Sequence, residues 1–140
     1  MTEIPLHRWS ATALAEGIAA REVSAEEVMR VHLDRIAEVE GDVAAFVSLV
    51  PDGDAIQMAR EADRAVARGD RLGPLHGLPT GVKDLIDVAG LPTSHGSAAY
   101  ADAGPAAHDS LLAANLRKAG ALIIGTTNPP EAGLGTLTFN

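Results

Sequence analysis

The sequence has no cysteine among its 140 residues. Disulfides, thiolate metal sites and cysteine nucleophiles are excluded together, and the usage fits a reducing compartment. Basic charge is also in short supply: eleven Lys plus Arg stand against nineteen acids, a net charge of −8, and the basic residues are scattered. General nucleic-acid binding through phosphates is therefore disfavoured. No apolar run approaches the roughly 20 residues of a membrane helix, so no membrane partner is expected. The opening Met1-Thr2-Glu3-Ile4-Pro5 has neither the cationic nor the apolar segment of a secretory signal, which makes the expected location cytoplasmic.

Familiar cofactor motifs are missing too. There is no GxxxxGK[ST] phosphate loop, and the glycine-rich stretches lack the strand-GxGxxG-helix setting of a dinucleotide site. The five histidines, His7, His32, His76, His95 and His108, are not paired at HxxxH or HExxH spacing. No metal, nucleotide or other cofactor is expected. His32 reads as a boundary residue on its helix, and loop histidines such as His76 and His95 more often serve as structural hydrogen-bonders than as catalysts.

What is present is an ordinary globular composition, 46% hydrophobic and 21% charged, at a mean hydropathy of +0.09. A chain of this size can bury roughly 70% of its unfolded surface in one domain. Ser24-Ala25-Glu26-Glu27 is a capping box that predicts a helix with Met29, Leu33, Ile36 and Ala37 inward, broken at Gly41-Asp42. A shorter helix after Ser10 carries Leu14 and Ile18. Ala45 to Val50 reads as a strand closed by Pro51. From Asp54 to Arg68 the stripe Ala55, Ala59, Ala62, Val66 predicts a closely packed helix ended by Gly69.

Beyond the Gly/Pro-rich stretch 73–79, a short strand is expected at Thr80 to Lys83, followed by a long ordered loop over 90–107. Asp109 or Ser110 then caps a helix with Leu111, Leu112, Leu116 and Ala119 inward. Gly120 ends it, and Ala121 to Gly125 (ALIIG) follows as a strand apolar on both faces. That succession predicts an α/β fold whose sheet is covered on both sides.

One residue sits oddly in this pattern. Lys83 lies between Val82 and Asp84, with Leu85 and Ile86 beyond. It either sends its ammonium to water or to Asp84, or it is a catalytic amine kept neutral by burial. Holding a lysine of ordinary pKa 10.4 neutral at pH 7 costs about 4.6 kcal/mol, at about 1.36 kcal/mol per unit. Neighbours such as Val82, Leu85 and Ile86 supply desolvation of that kind. Asp84 and Asp87 read as solvated acids or hydrogen-bond anchors rather than an acid-base pair.

The stretches GPLHGLPTGVKD (73–84), GLPT (90–93), Gly96-Ser97 and AGALIIGTTNPPE (119–131) resemble, in order and spacing, the amidase signature family. The resemblance covers essentially the whole chain. It implies the N-terminal part of that family's mixed-sheet α/β domain, with a helical opening segment over about 1–70 and a lysine-motif and sheet segment over about 71–140. It also implies a hydrolase of small amides in which two serines, one at a cis peptide bond, and a lysine form the catalytic triad. By that correspondence Lys83 is the base, and Gly133, Leu134 and Gly135 border the substrate cleft.

The family's Gly/Ser-rich segment, with both serines and the oxyanion-hole amides, has no counterpart in these residues. Ser94, Ser97 and Ser110 fall where the family has no nucleophile. Thr126 stands where lysine is common, Pro129 where methionine is common and Ala132 where phenylalanine is common. The expectation is thus an amidase fragment carrying the base. The alternatives are a truncated, non-catalytic interaction protein of the same fold or the A subunit of a tRNA-dependent amidotransferase, although the wording GVKDLIDVAGLPT looks more like general amidases. The chain alone is expected to be inactive and to self-associate through an exposed sheet edge.

Overall fold

The computed structural model describes residues 4–128. Its elements are the helices α1 (Ala11–Ala20), α2 (Ala25–Val43), α3 (Asp52–Arg68) and α4 (Leu111–Lys118), and the strands β1 (Phe46–Leu49), β2 (Pro79–Lys83) and β3 (Leu122–Thr127).

Local chemistry accounts for most of the boundaries. Ser10 Oγ accepts from Ala13 N and caps α1. Both arms of the capping box form at α2: Ser24 Oγ accepts from Glu27 N at 3.0 Å, and Glu27 Oε2 accepts from Ser24 N at 2.8 Å. The Glu27 carboxyl is held below its ordinary range by the bond from Ser24 N, which contributes most, and by a second from Ser24 Oγ at 2.8 Å. Asp63 of α3 adds a long-range cap, accepting from Ala25 N at 2.7 Å and Glu26 N at 3.1 Å. Gly69 closes α3 at φ +75°, as its position after Arg68 predicts.

β3 lies at the centre of the sheet, antiparallel to β1 and parallel to β2. Its adjacent residues Ile123 and Ile124 enter different clusters. Ile124 packs with Leu14, Ile18, Met29, Ala55 and Ala59 of the helical layer, whereas Ile123 packs with Val82, Val88 and Ala113 on the α4 side. The strand is therefore apolar on both faces because both are covered.

Three expectations are corrected. α2 runs through Gly41 and Asp42 to Val43. It ends only at Ala44, at φ +47°, where the Glu40 carbonyl accepts from Ala44 N and the Glu40 carboxylate from Phe46 N. Ala37 faces solvent and Ile36 is half-buried, so the inward face of α2 is centred on Val28, Met29 and Leu33 instead. On α4 the leucines at the start point outward, Leu111 at 79% and Leu112 at 50% exposure. Ala113 is the buried residue, and its small side chain lets the helix approach the sheet beside Ile123.

Candidate functional site

Lys83 is the last residue of β2, in register with Thr127 of β3. Alternate strand residues face opposite sides. Val82 is accordingly buried in the α4-side cluster, and Lys83 shares its side with Gly81. Space there is tight: a Cβ on Gly81 would stand 2.7 Å from the Thr127 methyl and 3.4 Å from the Phe46 ring. Lys83 itself is half-buried. Among the described residues no carboxylate lies within 4.0 Å of its ammonium.

The expected alternative partner, Asp84, is engaged elsewhere. It is fully buried, with Oδ1 accepting from Ser94 N at 2.9 Å and Oδ2 accepting from Ser94 Oγ. Asp84 N donates to Thr127 O at 2.9 Å, and Ile86 N donates to Lys83 O at 3.0 Å, so the chain turns directly after the lysine. Asp84 is thus the hydrogen-bond anchor that one reading of the sequence allows, and a Lys83–Asp84 pair is not formed. Asp87 is an anchor as well, accepting from Thr93 Oγ1 at 2.7 Å.

The long loop is ordered by bridges between Ala89 and Ala106 and between Pro92 and Pro105. Asp109 does not cap α4; Ser110 does. Asp109 Oδ1 accepts from Ala89 N at 2.8 Å while Oδ2 accepts from Arg117 Nε at 2.9 Å. The loop frames an open cavity of about 340 Å³ lined by Asp87, Thr93, His95, Ala106 and His108 among others. His76 lies elsewhere, its Nε2 2.9 Å from the Ala62 carbonyl, and His32 Nδ1 is 2.7 Å from the Val28 carbonyl. Both are structural hydrogen-bonders. No group of three potential metal ligands occurs among the described residues.

The serines are also in structural use. Ser94 donates to Asp84, Ser97 Oγ accepts from Ala99 N and Ser110 Oγ accepts from Ala113 N. Gly133, Leu134 and Gly135 lie outside the described residues. The pairing of Ser94 with Asp84 escaped the sequence reading, since ten residues of irregular chain separate the two. No helix among the described residues is long and apolar enough to cross a membrane.

A mixed sheet faced by helices, with a half-buried lysine at the end of a strand and a long ordered loop beyond it, defines an α/β fold. The Amidase family profile matches residues 27–140, and the chain belongs to the amidase signature family. It is 46% identical over 135 residues to a glutamyl-tRNA(Gln) amidotransferase subunit of Acidothermus cellulolyticus, covering 96% of this chain and 26% of that protein. It is 38% identical over 136 residues to an acylamidase of Rhodococcus erythropolis, covering 95% of this chain and 28% of that protein. The peptide amidase of Stenotrophomonas maltophilia superposes with a TM-score of 0.81 at 35% identity, over 91% of this chain and 26% of that one. The chain therefore spans about a quarter of the length of the curated relatives it matches.

Proposed function

We propose that this chain supplies the lysine base of an amide-bond hydrolase in which two serines relay the proton. The observation that carries the reading is the placement of Lys83: half-buried at a strand end, with no carboxylate in ion-pair range among the described residues and its neighbour Asp84 committed to Ser94. A salt bridge would commit the side chain to a carboxylate, whereas a lysine without one is available to the hydroxyls of a serine relay.

In the proposed step a serine hydroxyl attacks the amide carbonyl and its proton passes through the second serine to the Lys83 amine. As the C–N bond breaks, the leaving amine takes that proton back from Lys83 through the second serine, leaving an acyl-serine; water then attacks the ester, and the acid departs as the serine regains its proton. Both serines belong to the family's Gly/Ser-rich segment, so the chain's part in the reaction is the base and the walls around it. The substrate class is a small amide, with no cofactor.

A second reading has its own support, because relatives named as glutamyl-tRNA(Gln) amidotransferase subunits match at up to 46% identity. In that reading the amide is glutamine and the product ammonia is passed on. The test is to supply a polypeptide carrying the Gly/Ser-rich segment and assay an aryl amide and glutamine side by side. Hydrolysis that requires Lys83 and prefers the aryl amide supports the first reading. Ammonia release from glutamine alone supports the second. Activity that survives Lys83→Ala refutes both.

A further inference from the structure

Asp84 presents an electrostatic problem. It is fully buried, and among the described residues no cation lies within 4.0 Å of its carboxylate. A buried carboxylate without a counter-ion is costly unless its oxygens are well supplied with hydrogen bonds. The turn Ser94–His95–Gly96 supplies them. Oδ1 accepts from Ser94 N, Oδ2 accepts from Ser94 Oγ and from Gly96 N at 3.4 Å, and His95 N donates to the Asp84 carbonyl at 3.0 Å.

The turn has an unusual backbone. His95 and the following Gly96 both adopt left-handed conformations, at φ +54° and +66°. Residues other than glycine seldom do so, although histidine is among those that do so more readily. The turn aims the N–H groups of Ser94 and Gly96 at the Asp84 carboxylate and that of His95, between them, at the Asp84 carbonyl. The left-handed backbone at His95 is held by its N–H bond to the Asp84 carbonyl and by the Ser94 and Gly96 bonds on either side of it.

This clamp stands next to Lys83. On one side Lys83 is held by the ladder to β3 and by the Asp84 N bond to Thr127 O. On the other, the chain that leaves the strand is tied first by the Ile86 turn and the Asp84 clamp, and further on by the Asp87 bonds to Thr93 and Ser110. Without the clamp, the Ser94–Gly96 turn loses its side-chain bonds to the residue that follows Lys83. We propose that Asp84 is a positioning residue that fixes the Lys83 amine by locking the Ser94–Gly96 turn onto the end of β2. The proposal rests on Lys83 being the base.

The test uses the fact that the chain has only two lysines, Lys83 and Lys118. Lys118 is exposed on α4 and serves as an internal reference. Asp84→Asn keeps an oxygen acceptor without the charge, Ser94→Ala removes the hydroxyl while leaving every backbone donor, and Ser94→Thr restores it. In lysine-labelled protein, the ε-methylene resonance of Lys83 should move in the first two variants and return in the third, with Lys118 unchanged. Acetylation of Lys83 relative to Lys118 should rise by about threefold or more in the first two and revert with threonine. An unmoved Lys83 resonance and an unchanged labelling ratio in folded Ser94→Ala and Asp84→Asn would overturn the proposal. Should Asp84→Asn fail to fold, Ser94→Ala and its threonine rescue decide alone.

Once the Gly/Ser-rich segment is supplied, Ser94→Ala should lower kcat by about tenfold and leave KM within about twofold. An unchanged kcat overturns the catalytic part of the proposal. If Lys83→Ala retains hydrolysis, the base reading fails instead, and the lysine resonances still report whether Asp84 places the side chain.

Discussion

Val82 and Thr126 stand in register across the parallel pair of β2 and β3, and only the valine suits the place they share. Both are buried, and among the described residues the Thr126 hydroxyl has no hydrogen-bond partner. An unmade buried hydrogen bond costs about 1–3 kcal/mol. Thr126→Val keeps the shape and removes the polar atom, so the midpoint of urea unfolding should stay level or rise by up to about that amount. A loss of more than about 1 kcal/mol would mean that the hydroxyl has a partner, such as a bound water.

Glycines in this chain divide by surroundings rather than by sequence context. A Cβ on Gly125 would stand 2.3 Å from the Ser48 carbonyl oxygen, backbone that cannot yield without parting β1 from β3. Gly41, inside α2, has nothing within 4 Å of its Cβ position. Gly125→Ala should therefore destabilise by about 1–3 kcal/mol or more. Gly41→Ala should stabilise by about 0.5–1 kcal/mol, since alanine is the better helix former. Denaturant melts of the two variants beside the parent provide the check, and equal effects would contradict the assignment.

The same contrast shows what could be read in advance. The capping box at Ser24, the alanine stripe of α3 and the apolar run of β3 are each written in a short contiguous stretch of sequence, and each was legible. The outward turn of Leu111 and Leu112 was not, because the phase of α4 is set by where Ala113 meets Ile123 on another element. At the site, Lys83 stood out by its neighbours and by family resemblance. Asp84 was legible as a possible hydrogen-bond anchor, but its partner was not, because Ser94 arrives from a loop ten positions away. The cap on α2 from Asp63, which bonds Ala25 across 38 residues, is of the same kind.

Glu26 ties two helices together and should give stability a pH dependence. Its carboxylate accepts from Arg60 Nε at 2.9 Å and Arg30 Nη2 at 2.6 Å, joining α2 to α3. Arg60 contributes most, and then Arg30, to lowering the Glu26 pKa from 4.5 to about 2. A depressed carboxylate pKa stabilises the fold above the unfolded value and loses that contribution as pH falls through the folded one. Stability should thus decline between pH 4.5 and about 2, and Glu26→Gln should flatten part of that decline. Because the ion pairs are solvent-exposed, added salt should shrink the difference between the variant and the parent. An identical acid limb in parent and Glu26→Gln would remove the assignment.

The outward leucines of α4 should make the chain associate. Leu111, Leu112, Asn115 and Leu116 line an open apolar concavity of about 530 Å³, and exposed apolar patches favour contact with other surfaces. The chain should bind a hydrophobic dye and sediment as larger species with rising concentration. Leu111→Glu with Leu112→Lys should reduce both effects. A monodisperse monomer at high concentration that ignores the dye would count against this.

Lys83→Arg separates the two roles a lysine can have at the end of β2. Arginine keeps the positive charge and approximate reach, but its guanidinium, with a pKa above about 12, does not give up a proton in a protein. If Lys83 acted through its charge alone, the arginine variant would work nearly as well as the parent. If its amine accepts the proton of the serine relay, arginine should be almost as inactive as alanine once the Gly/Ser-rich segment is supplied. Circular dichroism of each variant should match the parent, because Lys83 bridges no described carboxylate whose partner would be lost. The measurement is the steady-state rate on an aryl amide for parent, Lys83→Ala and Lys83→Arg at equal assembled concentration. A rate for Lys83→Arg within about tenfold of the parent, a barrier difference of roughly 1.4 kcal/mol, would return Lys83 to a structural role. A loss equal to that of alanine would leave proton transfer as the function that the half-buried amine performs.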